Sequence, residues 1–180
     1  MTSDAMTKRR KKHRPATIHL SPGPLPARLM PEADLALVFT DASRLRHGGL
    51  AAILYDDAGS EALVFTRCVP LDGSNELELQ AAVFGLEQAA LRFHGRPFGL
   101  FSDNQDAMTR LSRAQTLGLA QDAALAGRFP GLDLAALLAP ARLRWIKGHG
   151  SSRGNALADA QARSAASPPA GSPDRSAPAI

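Results

Sequence analysis

The sequence predicts an α/β fold: a mixed five-stranded sheet, three antiparallel strands followed by parallel strands, with helices on both faces. Three observations lead there. Short apolar runs of strand length alternate with segments of helical spacing across the middle of the chain. The first three runs follow one another with only short turns between them, which is the pattern of antiparallel hairpins. Each later run is reached through a helical segment, and such connections join strands in parallel by right-handed crossovers.

Taken in order, residues 35–40 (LALVFT) form a short apolar run that suits a buried strand. Residues 49–55 and 62–68 supply two more strands, and Asp56-Asp57-Ala58-Gly59-Ser60 between them is a hairpin turn. Residues 75–93 have helical spacing, with Leu77, Ala81, Gly85, Ala89 and Phe93 along one stripe. Residues 97–102 (PFGLFS) are a strand. Residues 104–113 and 117–127 are helical, broken near Gly118 and ended by Pro130-Gly131. Residues 134–138 add a further turn, 142–146 a strand and 153–165 a helix. No internal repeat interrupts this order.

The flanks differ in composition. Residues 1–31 combine the like-charge run Lys8-Arg9-Arg10-Lys11-Lys12-His13-Arg14 with a Pro-rich stretch, and are expected to be a disordered tail. Residues 167–180, rich in Ser, Pro, Ala and Gly, are expected to be a second disordered tail, leaving 32–166 as the folded domain. The net charge of +4 hides an asymmetry. Residues 1–31 hold seven Lys/Arg and one acid, whereas 32–166 hold thirteen basic and fifteen acidic residues. A basic arm suits a polyanionic partner, and an acidic patch in the domain suits metal ions. No apolar run approaches the roughly 18 residues of a transmembrane helix. The five prolines of residues 15–31 do not make a signal peptide. The single cysteine, Cys68, excludes an internal disulfide and a cysteine-based zinc site. A cytoplasmic monomer is expected, with no membrane partner.

Four carboxylates stand at suggestive places. Asp41 ends the first apolar strand, Asp103 ends the strand at 97–102, Glu78 lies in the first turn of the first long helix and Asp159 lies in the last helix. In open α/β sheets, sites form at strand ends near a change in strand order. Each residue alone also fits an ordinary role. Asp41 could open a turn, Asn75-x-x-Glu78 has capping-box spacing, Asp103 could cap the following helix, and Asp159 could be a solvated helix carboxylate. Together they form a cluster whose mutual repulsion divalent cations relieve. Oxygen ligands without Cys suit Mg²⁺, and two such ions roughly 4 Å apart can clamp the attacking and leaving oxygens of a phosphodiester.

Five segments resemble one family. Phe39-Thr40-Asp41-Ala42-Ser43 is similar to the first-strand T-D-G-S motif of type 1 ribonuclease H. Ser74-Asn75-Glu76-Leu77-Glu78-Leu79-Gln80-Ala81 resembles its metal-binding helix motif, and Ser102-Asp103-Asn104-Gln105 its S-D-S-x motif. Trp145-Ile146-Lys147-Gly148-His149 resembles its W-V-K-G-H segment, followed at the usual separation by Asn155-x-x-x-Asp159. The resemblance covers about residues 33–165, and the last block is its most specific part. It implies an RNase H-like fold and a two-metal-ion endonuclease that hydrolyses the RNA strand of RNA–DNA hybrids. It implies two Mg²⁺ ions, with Mn²⁺ as a substitute, held by Asp41, Glu78, Asp103 and Asp159. His149 would be a mobile proton carrier between Gly148 and Gly150. Asn155 would orient substrate or neighbouring groups, and Ser43, Ser74 and Asn75 would contact substrate. Trp145 would lie in the core.

Departures from the family pattern are local. Ala42 replaces the motif's Gly, and the usual T-N-N-x-x-E lead-in is one residue short before Glu78. Those polar residues read the minor groove of a hybrid, where 2′-hydroxyls mark the RNA strand. Between Asp103 and Trp145 the basic residues are Arg110, Arg113, Arg128, Arg142 and Arg144, without a lysine-rich handle. The N-terminal run could supply phosphate affinity instead, the alternative being a solubility or expression-derived tail. The alternatives are a nuclease or transferase of the same fold acting on another nucleic acid, and a non-catalytic nucleic-acid-binding module.

Overall fold

The structure is a computed structural model of the chain and describes residues 18–31 and 34–167. Its elements are β1 (Ala36–Arg44), β2 (Gly48–Tyr55), β3 (Leu63–Val69), α1 (Ser74–Phe93), β4 (Phe98–Ser102), α2 (Gln105–Leu117), α3 (Ala123–Arg128), α4 (Leu134–Leu138), β5 (Ala141–Trp145) and α5 (Arg153–Ala165). Short 3₁₀ turns cover Ala27–Leu29 and Leu119–Gln121. The sheet order is β3-β2-β1-β4-β5. β1–β2 and β2–β3 pair antiparallel, and β1–β4 and β4–β5 pair parallel, so the expected mixed sheet is present.

Burial explains the strand patterns. β2 is buried along its whole length because it is covered on both faces, whereas the edge strand β3 is exposed or half-buried throughout. On one face Ala36, Val38, Leu50, Ala52 and Leu54 pack with α1, α2 and α4. On the other, Leu37, Phe39, Ile53, Phe101 and Ile146 pack with Ala158 of α5. Phe39 stacks on Phe101 with ring centroids 5.1 Å apart. A Cβ on Gly154 would lie 2.5 Å from the Phe39 ring, so only glycine lets the start of α5 sit this close to β1.

Four local expectations change. β1 continues past Thr40 to Arg44 because residues 40–44 keep their partners on β2, from Thr40–Ala52 to Arg44–Gly48. Asp41 therefore sits inside a strand and does not open a turn. α1 begins at Ser74 behind Gly73, which makes no side-chain cap, so Glu78 belongs to the second turn and closes no capping box. The N-cap of α2 is Asn104, whose side chain accepts the Ala107 N–H at 2.8 Å, and Asp103 is left free of that role. The helix expected over 117–127 is divided. Gly118 at φ 88° ends α2, a 3₁₀ turn follows, and Asp122 caps α3 by accepting the Leu125 N–H.

The N-terminal flank also differs from expectation. Residues 18–31 are not a tail detached from the domain. Pro24, Leu25 and Pro26 are buried, and Leu25 joins the core cluster of Phe39 and Ile146. The Pro-rich segment bends over residues 22–25 and packs by its side chains and by the Pro24 carbonyl, which accepts hydrogen bonds from the start of α5. The basic run at 8–14 and the stretch 168–180 lie outside the described residues. Among the described residues, no helix is long and apolar enough to cross a membrane.

Candidate active site

The topology itself makes a crevice. The chain leaves β1 toward β2 and β3 on one side and returns through α1 to place β4 on the other. The last parallel pair between β1 and β4 is Phe39–Phe101, and two residues further come Asp41, within β1, and Asp103, just past the end of β4. Both carboxylates thus project at the same level where strand order reverses, the place where ligands bind in open α/β sheets. α1 crosses below and brings Glu78. Carboxylate oxygens of Asp41, Glu78 and Asp103 lie within 4.8 Å of one another.

These three line a cavity of about 270 Å³ with Ala42, His149, Gly150, Asn155, Asp159 and Arg163. The structure therefore brings together all five residues expected to be catalytic, and Asn155. It does not bring Ser43, Ser74 or Asn75 into that lining. Ser43 follows Asp41 by two in β1, beyond the crevice, and Ser74 is exposed at the start of α1. Asn75 is exposed too. Its amide donates to Asp106 at 3.1 Å and its oxygen accepts from Asn104 at 3.2 Å, a polar bridge between α1 and the start of α2.

The electrostatics follow from crowding acids in a partly dry place. Asp41 is only 6% exposed. Burial first, then the charges of Asp103 and Asp159, push its carboxyl from the ordinary 3.8 up to about 7, against the Ala42 N–H that donates to it at 2.9 Å. Burial first, then Asp41 and Asp103, push Glu78 from 4.5 up to about 9. Oε2 of Glu78 and Oδ1 of Asn155 are buried with no hydrogen-bond partner among the described residues. A buried acceptor without a donor is costly, and a cation is the partner such oxygens lack. An all-oxygen donor set of carboxylates therefore fits a hard divalent ion. Asp159 lies outside the tight triad but beside Asp41, whose carboxyl pKa it helps to raise, and it pairs with Arg163 one helical turn on, at 2.9 Å.

Asp103 is held from three sides. Its backbone carbonyl accepts the Trp145 indole N–H at 2.9 Å, and its Oδ2 accepts from the Asn155 amide at 3.4 Å. A Cβ on Gly148 would come 2.5 Å from Oδ2, so a side chain there would push the Asp103 carboxylate aside. Trp145 is not core: it is 50% exposed. Its apolar bulk suggested burial, while its N–H donor was the signal that pointed to a partner. α5 is capped by Ser152, whose hydroxyl accepts the Asn155 N–H at 3.2 Å. Arg163 went unnoticed in the sequence, although its i,i+4 spacing from Asp159 was visible there. His149 is exposed on this loop with φ 50°, a left-handed conformation that a non-glycine residue holds at a cost of about 1–2 kcal/mol.

Among the arginines between Asp103 and Trp145, Arg110 and Arg128 pair with acids outside the cavity. Arg110 forks onto Asp122 at 2.7 and 3.0 Å, and Arg128 joins Asp72 and Glu76 at the start of α1.

Comparison with known proteins agrees with this geometry. No curated protein sequence matches the chain. Solved structures match its fold at low identity. The RNase H1 of the halophilic archaeon Halobacterium salinarum is 19% identical, with a TM-score of 0.53 over 72% of this chain and 96% of that one. The N-terminal RNase H domain of a Mycobacterium tuberculosis protein, solved as a fusion with maltose-binding protein, is 14% identical, with a TM-score of 0.52 over 73% and 95%. LC11-RNase H1, isolated from compost by a metagenomic approach and solved in complex with an RNA/DNA hybrid, is 12% identical, with a TM-score of 0.50 over 73% and 99%. The RNase H family model matches residues 33–167, three quarters of the chain and the whole sheet with its crevice. By that match, the chain belongs to the RNase H family.

Proposed function

We propose that the protein is an endonuclease that hydrolyses the RNA strand of RNA–DNA hybrids with two divalent cations, Mg²⁺ being the natural choice and Mn²⁺ a substitute. The observation that carries this reading is the convergence of Asp41, Glu78 and Asp103 at the β1–β4 crevice, with a buried Glu78 oxygen that has no hydrogen-bond partner among the described residues. A chain that only bound nucleic acid would gain nothing from holding these like charges together. The hybrid as substrate is supported by family membership and by the neighbour solved with such a hybrid.

Divalent ions bound there supply positive charge that activates water and stabilises charge developing on the phosphate. Asp41, Glu78 and Asp103 hold that charge in place, and Asp159 faces the same cavity as a fourth carboxylate. The carboxylates can do so because β1, β4 and α1 are packed elements, so their geometry is set before substrate arrives. His149, exposed on its loop at the cavity edge, can reach the leaving oxygen with a proton without being buried itself. Asn155 fixes Asp103 with its amide and so orients that carboxylate in the cavity that both residues line. Ser43, Ser74 and Asn75 lie outside the cavity, where they would meet the flanking nucleotides.

The test is cleavage of a labelled hybrid by purified protein in Mg²⁺, in Mn²⁺ and in EDTA, beside DNA duplex, RNA duplex and single strands. Metal-dependent loss of the RNA strand from the hybrid alone is the expected result. Cleavage of DNA duplex instead would assign the same carboxylates to another substrate.

A further inference from the structure

Ahead of β1, residues 21–24 hydrogen-bond to the end of the loop that carries His149. The Ser21 N–H donates to the Ser151 carbonyl at 2.7 Å. The Ser21 hydroxyl accepts the Arg153 N–H at 3.3 Å and donates to the Gly23 carbonyl at 2.6 Å. The Pro24 carbonyl accepts both the Ser152 hydroxyl at 3.0 Å and the Gly154 N–H at 2.9 Å. Leu25 then anchors the segment, buried to 3% exposure beside Phe39, Ile146 and Ala158. Four consecutive residues, 151–154, are thus tied to residues 21–24.

The other end of the loop is tied as firmly. Ile146 donates its N–H to the Ser102 carbonyl at 3.0 Å, and the Trp145 indole holds Asp103. Residues 147–150 hang between these two anchors, with His149 in a left-handed conformation that the flanking structure must maintain. Ile146 and Leu25 share one core cluster, so both anchors rest on the same packing. The family match begins at residue 33, so the second anchor is built from residues ahead of it.

We propose that residues 21–25 are a positioning strap for the His149 loop, setting where the imidazole sits over the carboxylate cavity. This rests on the reading of His149 as the proton carrier of the reaction. Ser21 and Leu25 touch no substrate, and they act through residues 151–154.

The experiment uses the full chain carrying Ser21→Ala or Leu25→Ala. Amide hydrogen exchange is followed by mass spectrometry, and kcat and KM are measured on a hybrid in Mg²⁺. Exchange at residues 149–154 is expected to rise about tenfold, with exchange in β1 and α1 unchanged. kcat is expected to fall about fivefold with KM unchanged, because the strap orients a reacting group and binds no substrate. Loop exchange at the parent rate in both variants overturns the proposal. So does a rise shared equally by the whole chain, or a faster loop with kcat unmoved. If Leu25→Ala fails to fold, Ser21→Ala decides, since it removes one hydroxyl and no core volume. A parent protein that cuts no hybrid would sink the nuclease reading, and the exchange data would still show whether the strap holds the loop.

Discussion

Trp145 reaches across from the end of β5 to donate its indole N–H to the backbone carbonyl of Asp103, 2.9 Å away, while half of the residue remains exposed to solvent. An indole in that position contributes less to the core than to the placement of a carboxylate. Trp145→Phe keeps a ring and removes the donor. The lost bond costs about 1 kcal/mol of stability. The Mg²⁺ concentration for half-maximal activity is expected to rise severalfold, with kcat/KM at saturating metal falling by about threefold to tenfold. A metal titration of both proteins checks this. Identical half-saturation points would mean that Asp103 needs no help from the indole.

Asp41→Asn, Glu78→Gln and Asp103→Asn keep side-chain volume and remove charge. Each is expected to lower cleavage by about a hundredfold or more, since the charge that would hold the cations is lost. Without metal, Asp41→Asn and Glu78→Gln are expected to melt higher than the parent at pH 8, because both carboxyls resist ionisation in the fold. Hybrid cleavage and thermal melting in EDTA measure the two effects. Gain of stability with loss of activity is the signature of a functional cluster.

The same shifts set a pH dependence. In the unfolded chain Asp41 and Glu78 release protons near their ordinary values of 3.8 and 4.5, and in the fold only near 7 and 9. Between those limits the folded state binds more protons than the unfolded one, so stability falls as pH rises. The melting temperature in EDTA is therefore expected to decline from about pH 5 to pH 9, and to decline less with Mg²⁺ present. Asp122, held down to about 2 first by the Arg110 hydrogen bond, acts in the opposite sense and only below about pH 4. A melting temperature flat across pH 5–9 in EDTA would contradict the crowding of the acids.

Removal of the N-terminus should have two separable consequences. Residues 1–17 carry six Lys/Arg and one acid. Their deletion is expected to leave the melting temperature unchanged and to raise KM at low salt, with the difference shrinking as salt rises, because phosphate contacts release counterions. Deletion through residue 31 also removes Leu25, whose burial contributes about 2 kcal/mol, and should lower the melting temperature. Melting curves and a KM salt series on both truncations make the comparison. Equal melting temperatures would show that the packed segment adds nothing.

Much of the architecture was legible along the chain. The apolar runs separated by short turns determine three hairpin strands, and the helical stripe from Leu77 to Phe93 determines α1, because each pattern depends on which face of one element is buried. The residue types and order of Asp41, Glu78, Asp103, His149, Asn155 and Asp159 were legible for the same reason: they sit in short motifs with recognisable neighbours. Only the tertiary structure decided that Asp41 lies within β1, since its continuation past Thr40 depends on partners in β2. It alone decided that Trp145 turns its N–H to Asp103 and stays half exposed, and that Ser43 misses the cavity. The packing of residues 21–25 was hidden most completely, because a Pro-rich stretch has no periodicity to read and its partner, Ser152, lies 128 residues from Pro24. Local periodicity records which side of an element is apolar. Where two distant segments meet is settled by pairing register and close packing across the whole fold.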